Sequence, residues 1–273
     1  MRGFSLGAES ARRVIHSAVL LAVLGCGRPE PESPAGQDVD QKSIAEYDVA
    51  RDLWLRRGQP RSALGHALKS VELDDENAEA AHLVALIYLD FCRVSPKECE
   101  LDQAERYARL ALDVFPKYRE ARNTLGVVLI HARKYQTAIE TLKPLSQDIL
   151  YQTPENAWGN LGWAYLESGQ TELAIDALQR AIAAQPSFCV GHYRLGRAYE
   201  KKGDRQAAVH AYGRAIDADE RCKGMQEVWA ARGLLLIQLG QLDEARSDLD
   251  ECVRLDQKTE SGRQCTAALG KLE

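Results

Sequence analysis

Seven cysteines and six histidines are the residues of this 273-residue chain best suited to site chemistry. The histidines, His16, His66, His82, His131, His192 and His210, are scattered singly, and none lies within ligand spacing of two cysteines. No paired C-x-x-C occurs, so a closed zinc site is not expected, and no metal or cofactor is assigned. The chain also lacks H-E-x-x-H, G-x-S-x-G and G-x-x-x-x-G-K-[ST], the patterns that would set up a metalloprotease, a nucleophile elbow or a phosphate loop. Abundant Asp and Glu are expected to be solvated helix faces. No constellation supports catalysis, which leaves the cysteines as staples or attachment points.

Cys26 stands apart. Arg12 and Arg13 precede an apolar run, Val14–Leu24, that ends in Val23-Leu24-Gly25-Cys26. A basic start, a short apolar stretch and small residues before a cut describe a secretory signal, and a membrane-spanning helix needs about 20 apolar residues. Ending on Gly-Cys, residues 1–25 resemble a bacterial lipoprotein signal, with Cys26 acylated as the first mature residue; the alternative is an ordinary signal with an incidental cysteine. By that resemblance Gly27 implies a destination in the outer membrane. Residues 26–43 hold three prolines and few large apolar groups, and are expected to form a disordered tether. The formal charge is −5. Residues 1–25 carry Arg2, Arg12 and Arg13 against Glu9, a net +2, so their removal leaves −7. An acidic chain is a poor partner for nucleic acid, whose affinity comes from Lys and Arg on phosphates.

The elements that must position the remaining cysteines are helices. The chain favours Ala, Leu, Arg, Gln and Glu, which are helix formers. In residues 155–188, Trp158, Leu161, Tyr165 and Leu178 are bulky, Gly162, Gly169, Ala174 and Ala181 are small, and Pro186 closes the unit. Leu161 and Tyr165, four apart, share a helix face; Gly162 and Ala174 allow a second helix to lie close; Gly169 suits a left-handed helix end. This order resembles the tetratricopeptide repeat of period 34. Six registers follow, at 44–77, 78–118, 119–152, 155–188, 189–222 and 226–259, with a cap helix over Gly262–Lys271 in the tail 260–273. The expected fold is an all-α solenoid of six helix-turn-helix repeats with a C-terminal capping helix. Repeat two carries about seven extra residues between its helices. Repeat three has Arg133 where Gly is usual, Leu145 where a small residue is usual, and Pro144 inside its second helix, where it should break or kink the helix.

Removing Cys26 leaves six cysteines, an even number in a chain read as exported, which favours disulfides. Cys92 and Cys99 flank the insertion of repeat two. Cys189 opens repeat five and Cys222 closes it, while Cys252 lies inward on the last repeat and Cys265 on the cap helix. Six cysteines allow 15 pairings, and a buried free thiol, at Cys252 above all, is the rival reading.

Binding is the function left. The inward positions of the first helices give Asn123, Trp163, Tyr193, Arg197 and Glu200. Asn160 and Arg194 stand at sixth positions, where chaperone-binding repeat proteins place part of a carboxylate clamp, but the lysines of that clamp are missing. Trp163 and Tyr193 are candidate anchors, since aromatics and Arg dominate interface energetics; Trp163 packing merely on its neighbour is the alternative. The junction Leu150-Tyr151-Gln152-Thr153-Pro154-Glu155, followed by Asn160-Leu161-Gly162-Trp163-Ala164-Tyr165, resembles the type IV pilus assembly lipoproteins of the PilF/PilW family, and the cysteines resemble its social-gliding branch. The resemblance implies a non-enzymatic pilotin facing the periplasm from the outer membrane, whose partners are PilQ-like secretin subunits and the lipid surface, and which promotes secretin insertion and assembly. Because repeat three is expected to break its helix at Pro144 and repeat four restarts after two extra residues, the partner-binding surface is expected near this junction, with Tyr151 and Trp163 as test positions. The competing expectation is a general envelope scaffold that recruits cell-wall enzymes.

Overall fold

In a computed structural model, residues 34–95 and 97–272 are described. The expected signal, the expected attachment point Cys26 and residues 27–33 lie outside them. Among the described residues there are helices and no strands. They pair as hairpins: α1 (Pro34–Leu55) with α2 (Pro60–Leu73), α3 (Ala78–Val94) with α4 (Leu101–Val114), α5 (Arg119–His131) with α6 (Tyr135–Ser146), α7 (Pro154–Glu167) with α8 (Thr171–Ala184), α9 (Cys189–Lys202) with α10 (Arg205–Asp217), and α11 (Gln226–Gln238) with α12 (Leu242–Leu255). A 3-10 turn, Glu220–Gly224, precedes α11, and α13 (Glu260–Leu269) packs on α11 and α12. The six hairpins and the cap are those expected from the repeat registers.

Small residues explain the stacking. Ala63, Ala67, Ala104, Ala108, Ala138, Ala174, Ala181, Ala208 and Ala245 have no exposed surface. A side chain at Gly162 would meet Leu178 Cγ at 2.6 Å, so the close crossing of α7 and α8 requires glycine there. Between them, Leu129, Leu142, Leu161, Leu178 and Leu249 are buried, each worth roughly 1.5–3 kcal/mol by transfer. No helix among the described residues is long and apolar enough to cross a membrane.

Four expectations are corrected. Residues 34–43, expected as tether, are the start of α1. Lys42 pairs with Asp38 one turn away at 2.7 Å, and Ser43 is fully buried with its Oγ donating to Ser70 O at 3.0 Å. The insertion of repeat two is absorbed partly as helix, since α3 has 17 residues against 13 in α5 and 14 in α7. Helix α6 continues through Pro144 to Ser146 and ends in tight turns, Gln147 N to Pro144 O at 3.3 Å and Asp148 N to Leu145 O at 3.1 Å. A proline so near the end removes one ladder bond without breaking the helix. The cap helix starts at Glu260, because Thr259 accepts from Gly262 N at 2.9 Å and so caps it earlier than the apolar pattern suggests.

Candidate protein-binding surface

The first helices of successive hairpins touch through a ladder of polar contacts. His82 on α3 meets Thr124 on α5, Nε2 to Oγ1 at 2.9 Å, and its Nδ1 lies 3.0 Å from the Tyr118 hydroxyl. Asn160 on α7 donates from Nδ2 to Asn123 Oδ1 at 3.0 Å. Arg194 on α9 donates from Nη1 to Asn160 Oδ1 at 3.0 Å and to Gly159 O at 3.2 Å. The Asn123–Asn160 and Asn160–Arg194 pairs are 37 and 34 apart in sequence, so repeats of similar length set them side by side, while the insertion of repeat two stretches the His82–Thr124 pair to 42. Burial pushes His82 down to about 4, which keeps the imidazole neutral in its cage of hydroxyls.

Beside the ladder lies an aromatic and cationic cluster. The Arg194 guanidinium carbon sits 4.4 Å from the centre of the Trp163 ring, and the His131 ring meets the same indole edge-on at 5.1 Å. Trp163 Nε1 donates to Glu167 Oε1 at 3.3 Å, and Arg197 Nη1 lies 3.3 Å from that oxygen. Desolvation, with repulsion from Arg197 second, pulls Arg194 down to about 10. Desolvation and then Arg194 also lower His131. Arg194 is committed to α7 and covers one face of the indole, so the cluster offers a partner the exposed Arg197 and the uncovered part of Trp163, which suits an aromatic or carboxylate group.

Asn123, Asn160, Trp163, Arg194 and Arg197 are thus brought together. The two asparagines and Arg194 are occupied in joining helices. Tyr193 turns toward Tyr212, with ring centres 5.9 Å apart, and the Tyr212 hydroxyl donates to Glu200. Tyr151 is a correction: it is only 6% exposed and packs with Leu145 and Ala157, so it holds the α6–α7 connection in place instead of meeting a partner. Leu145 replaces the usual small residue to fill that cluster. The residues reaching solvent are its neighbours Ile149 and Leu150, 95% and 62% exposed; two large aliphatic residues in an irregular connection were the signal in the sequence. His131 and Glu167 were also missed, because their roles depend on a neighbouring helix.

The remaining cysteines are brought together in the pairs suggested by their positions in the repeats. Cα separations are 4.0 Å for Cys92 and Cys99, 5.6 Å for Cys189 and Cys222, and 6.3 Å for Cys252 and Cys265. Among the described residues no three His, Cys, Asp or Glu groups converge as they would around a metal.

Comparison with known proteins agrees with this architecture. A family profile described as tetratricopeptide repeat matches residues 100–143 and 193–258, and a second of the same description matches 155–188, together more than half of the chain. The chain is similar to type IV pilus assembly protein PilF of Pseudomonas aeruginosa, 25% identical over 177 residues that span 63% of this chain and 68% of PilF. It is also similar to anaphase-promoting complex subunit 3 of Schizosaccharomyces pombe, 23% identical over 79% of this chain but only 30% of that protein. Among solved structures, PilW, a type IV pilus biogenesis factor, superposes with a TM-score of 0.69 at 21% identity, covering 83% of this chain and 99% of PilW. That likeness is one of fold.

Proposed function

Because the chain belongs to the tetratricopeptide repeat family, we propose that it binds protein partners without catalysis, and that it serves type IV pilus biogenesis as a lipid-anchored pilotin. The observation that carries the pilus reading is the sequence similarity to PilF, which extends over 177 residues, 63% of this chain. In this reading Cys26 is acylated and holds the solenoid at the periplasmic side of the outer membrane. Confinement there raises the effective concentration of the solenoid relative to a membrane-bound partner. The partner is the secretin, and the Trp163–Arg194–Arg197 cluster supplies one anchor for it until subunits join into the ring. An interface anchored by an aromatic and an exposed arginine fits the usual distribution of binding energy.

The test is deletion of the gene followed by gel analysis of the secretin without reduction of its heat-resistant multimers. Monomeric secretin and loss of pili are expected, and normal multimers would overturn the reading. Trp163→Ala is expected to weaken secretin binding by about 1–2 kcal/mol. Cys26→Ala is expected to release the protein from membranes, and unchanged fractionation and mass would reject acylation.

A further inference from the structure

We propose that one edge of the solenoid, formed by the α4–α5 and α6–α7 connections, docks an extended acidic segment of the protein partner that also carries an apolar side chain. The inference rests on the reading of this chain as a secretin-binding protein and names the surface and the kind of segment it would hold. Each of these connections joins the second helix of one hairpin to the first helix of the next, so repetition sets them on the same side of the stack. Three exposed apolar residues lie there: Phe115 at 49%, Ile149 at 95% and Leu150 at 62%. Ile149 is the most exposed large hydrophobic residue among those described. Between the two connections runs a cleft of about 270 Å³, with Pro116, Pro144 and Leu145 as its apolar lining and Lys117, Arg119 and Arg122 as its cations.

Its charge is opposite to that of the chain, which is −5 overall. Asp148 is the sole acid in the lining and is taken by Arg119, Nε to Oδ2 at 2.7 Å. Arg122 donates to Pro116 O at 2.6 Å. Neither Lys117 nor Arg122 has a carboxylate within ion-pair distance among the described residues. Three cations against one acid, on the edge that also carries the exposed Phe115, Ile149 and Leu150, are complementary to an acidic segment with an apolar residue. The cleft is sized for one or two side chains of an extended chain.

The connection is also held rigid. Pro144 lies in the last turn of α6 and Pro154 begins α7. Tyr151 is buried between them, Asp148 Oδ1 accepts from Leu150 N at 2.9 Å, and Tyr151 N donates to Asp148 O at 3.1 Å. Ile149 and Leu150 are therefore offered at fixed positions, which lowers the ordering cost of binding. Exposed large aliphatic groups contribute nothing to this fold, and their burial by a partner is favourable.

The experiment measures the affinity of the purified mature chain for the purified secretin subunit of the same organism, at low and physiological salt. It compares wild type, Ile149→Ser with Leu150→Ser, and Lys117→Glu with Arg122→Glu. Ile149, Leu150 and Lys117 are exposed, so the aliphatic double variant is expected to melt with the wild type, while Arg122 is half-buried and bonded to Pro116 O, so the charge variant is read together with its own melting curve and with Lys117→Glu alone. Each double variant is expected to bind about tenfold more weakly or worse, and salt should weaken the wild type more than the charge variant. Wild-type affinity in both variants would overturn the assignment of this edge while leaving the secretin reading intact. Failure of the wild type itself to bind secretin would overturn both. Wild-type self-association abolished by the same substitutions would instead give the edge to a second copy. Binding to anionic vesicles that the variants lose, with secretin affinity unchanged, would give it to lipid; either result overturns the proposal.

Discussion

Arg133→Gly should stabilise the protein, and the reason lies in one backbone angle. The first helices of four hairpins end on glycines with positive φ, 61° at Gly58, 84° at Gly169, 88° at Gly203 and 74° at Gly240, while Arg133 holds φ 60° at the matching place in repeat three. The hydrogen bonds are the same in kind: Arg133 N to Ile130 O at 2.9 Å and Lys134 N to Leu129 O at 2.8 Å, as Gly203 N to Glu200 O and Asp204 N to Tyr199 O, both at 2.9 Å. Arg133 thus performs the glycine turn against the steric preference of an L residue, which costs about 1–2 kcal/mol. Glycine removes that strain but gives back about 0.4–1 kcal/mol through the greater freedom of the unfolded chain. The net gain is on the order of 0.5–1 kcal/mol, or about 1–4 °C in melting temperature for a domain of this size. Gly203→Ala is the mirror experiment. An added Cβ there meets nothing within 4 Å, so any loss reports backbone strain less the freedom that alanine removes from the unfolded chain, and should be about as large. Thermal and urea unfolding, with amide exchange in α5 and α6 as the local readout, supply the measurement. A lower melting temperature for Arg133→Gly, or a higher one for Gly203→Ala, would refute the reasoning.

Lowering the pH should destabilise the fold through His82. Its folded value of about 4 lies below the ordinary 6.5, so the unfolded chain binds more protons between those values, and the stabilisation present at neutral pH is lost as pH falls. From pH 7.5 to pH 5 this one residue accounts for about 2 kcal/mol, with His192 and His131 shifted the same way; an unchanged pH slope in His82→Gln would refute its share. If the three cysteine pairs are bonded, mass spectrometry without reduction should find no free thiol among the six. Their separate removal by serine should then cost about 4 kcal/mol for Cys189–Cys222, 3 for Cys252–Cys265 and 2 for Cys92–Cys99 in the chain-entropy picture, from loops of 33, 13 and 7 residues; six alkylated thiols would reject this. Asp248 is 5% exposed and bonds to Arg232 through both oxygens at 2.6 and 2.7 Å, so Asp248→Ala should cost about 3 kcal/mol by leaving the guanidinium unpaired in a half-buried site. Urea unfolding of that variant indistinguishable from wild type would mean that water already satisfies Arg232.

The fold was readable because its rule is local and repeated. A glycine such as Gly162 and the leucine it must admit, Leu178, sit 16 positions apart within one hairpin, and the same spacing recurs down the chain. Departures from the rule were readable as positions but not as outcomes. Pro144 looked like a break, yet its distance from the helix end decides what a proline costs, and that end is set by contacts of Leu145 with Tyr151 and Ala157 outside the helix. Likewise residues 34–43 look like a linker by composition, while the burial of Ser43 against Ser70 depends on α2.

The site was legible to the same degree. Position within the repeat selected Asn123, Asn160, Trp163, Arg194 and Arg197, because inward positions recur with the period. It did not separate a residue that serves the stack from one free for a partner. That distinction is made by the neighbouring hairpin: the Oδ1 and Nδ2 of Asn160 are used by Arg194 and Asn123, whereas the indole of Trp163 is flanked by cations and the edge of His131. Tyr151 and Ile149 invert the lesson, since an irregular connection has no period to say which side chain turns inward. Two residues apart, one is buried at 6% and the other exposed at 95%. A large aliphatic side chain in a fixed connection gains nothing for the fold by pointing to water. The same connection that buries Tyr151 therefore commits Ile149 to a surface role, and binding measurements on Ile149 and Tyr151 variants should separate. Loss of Ile149 should weaken partner binding with the fold intact, whereas loss of Tyr151 should first lower stability.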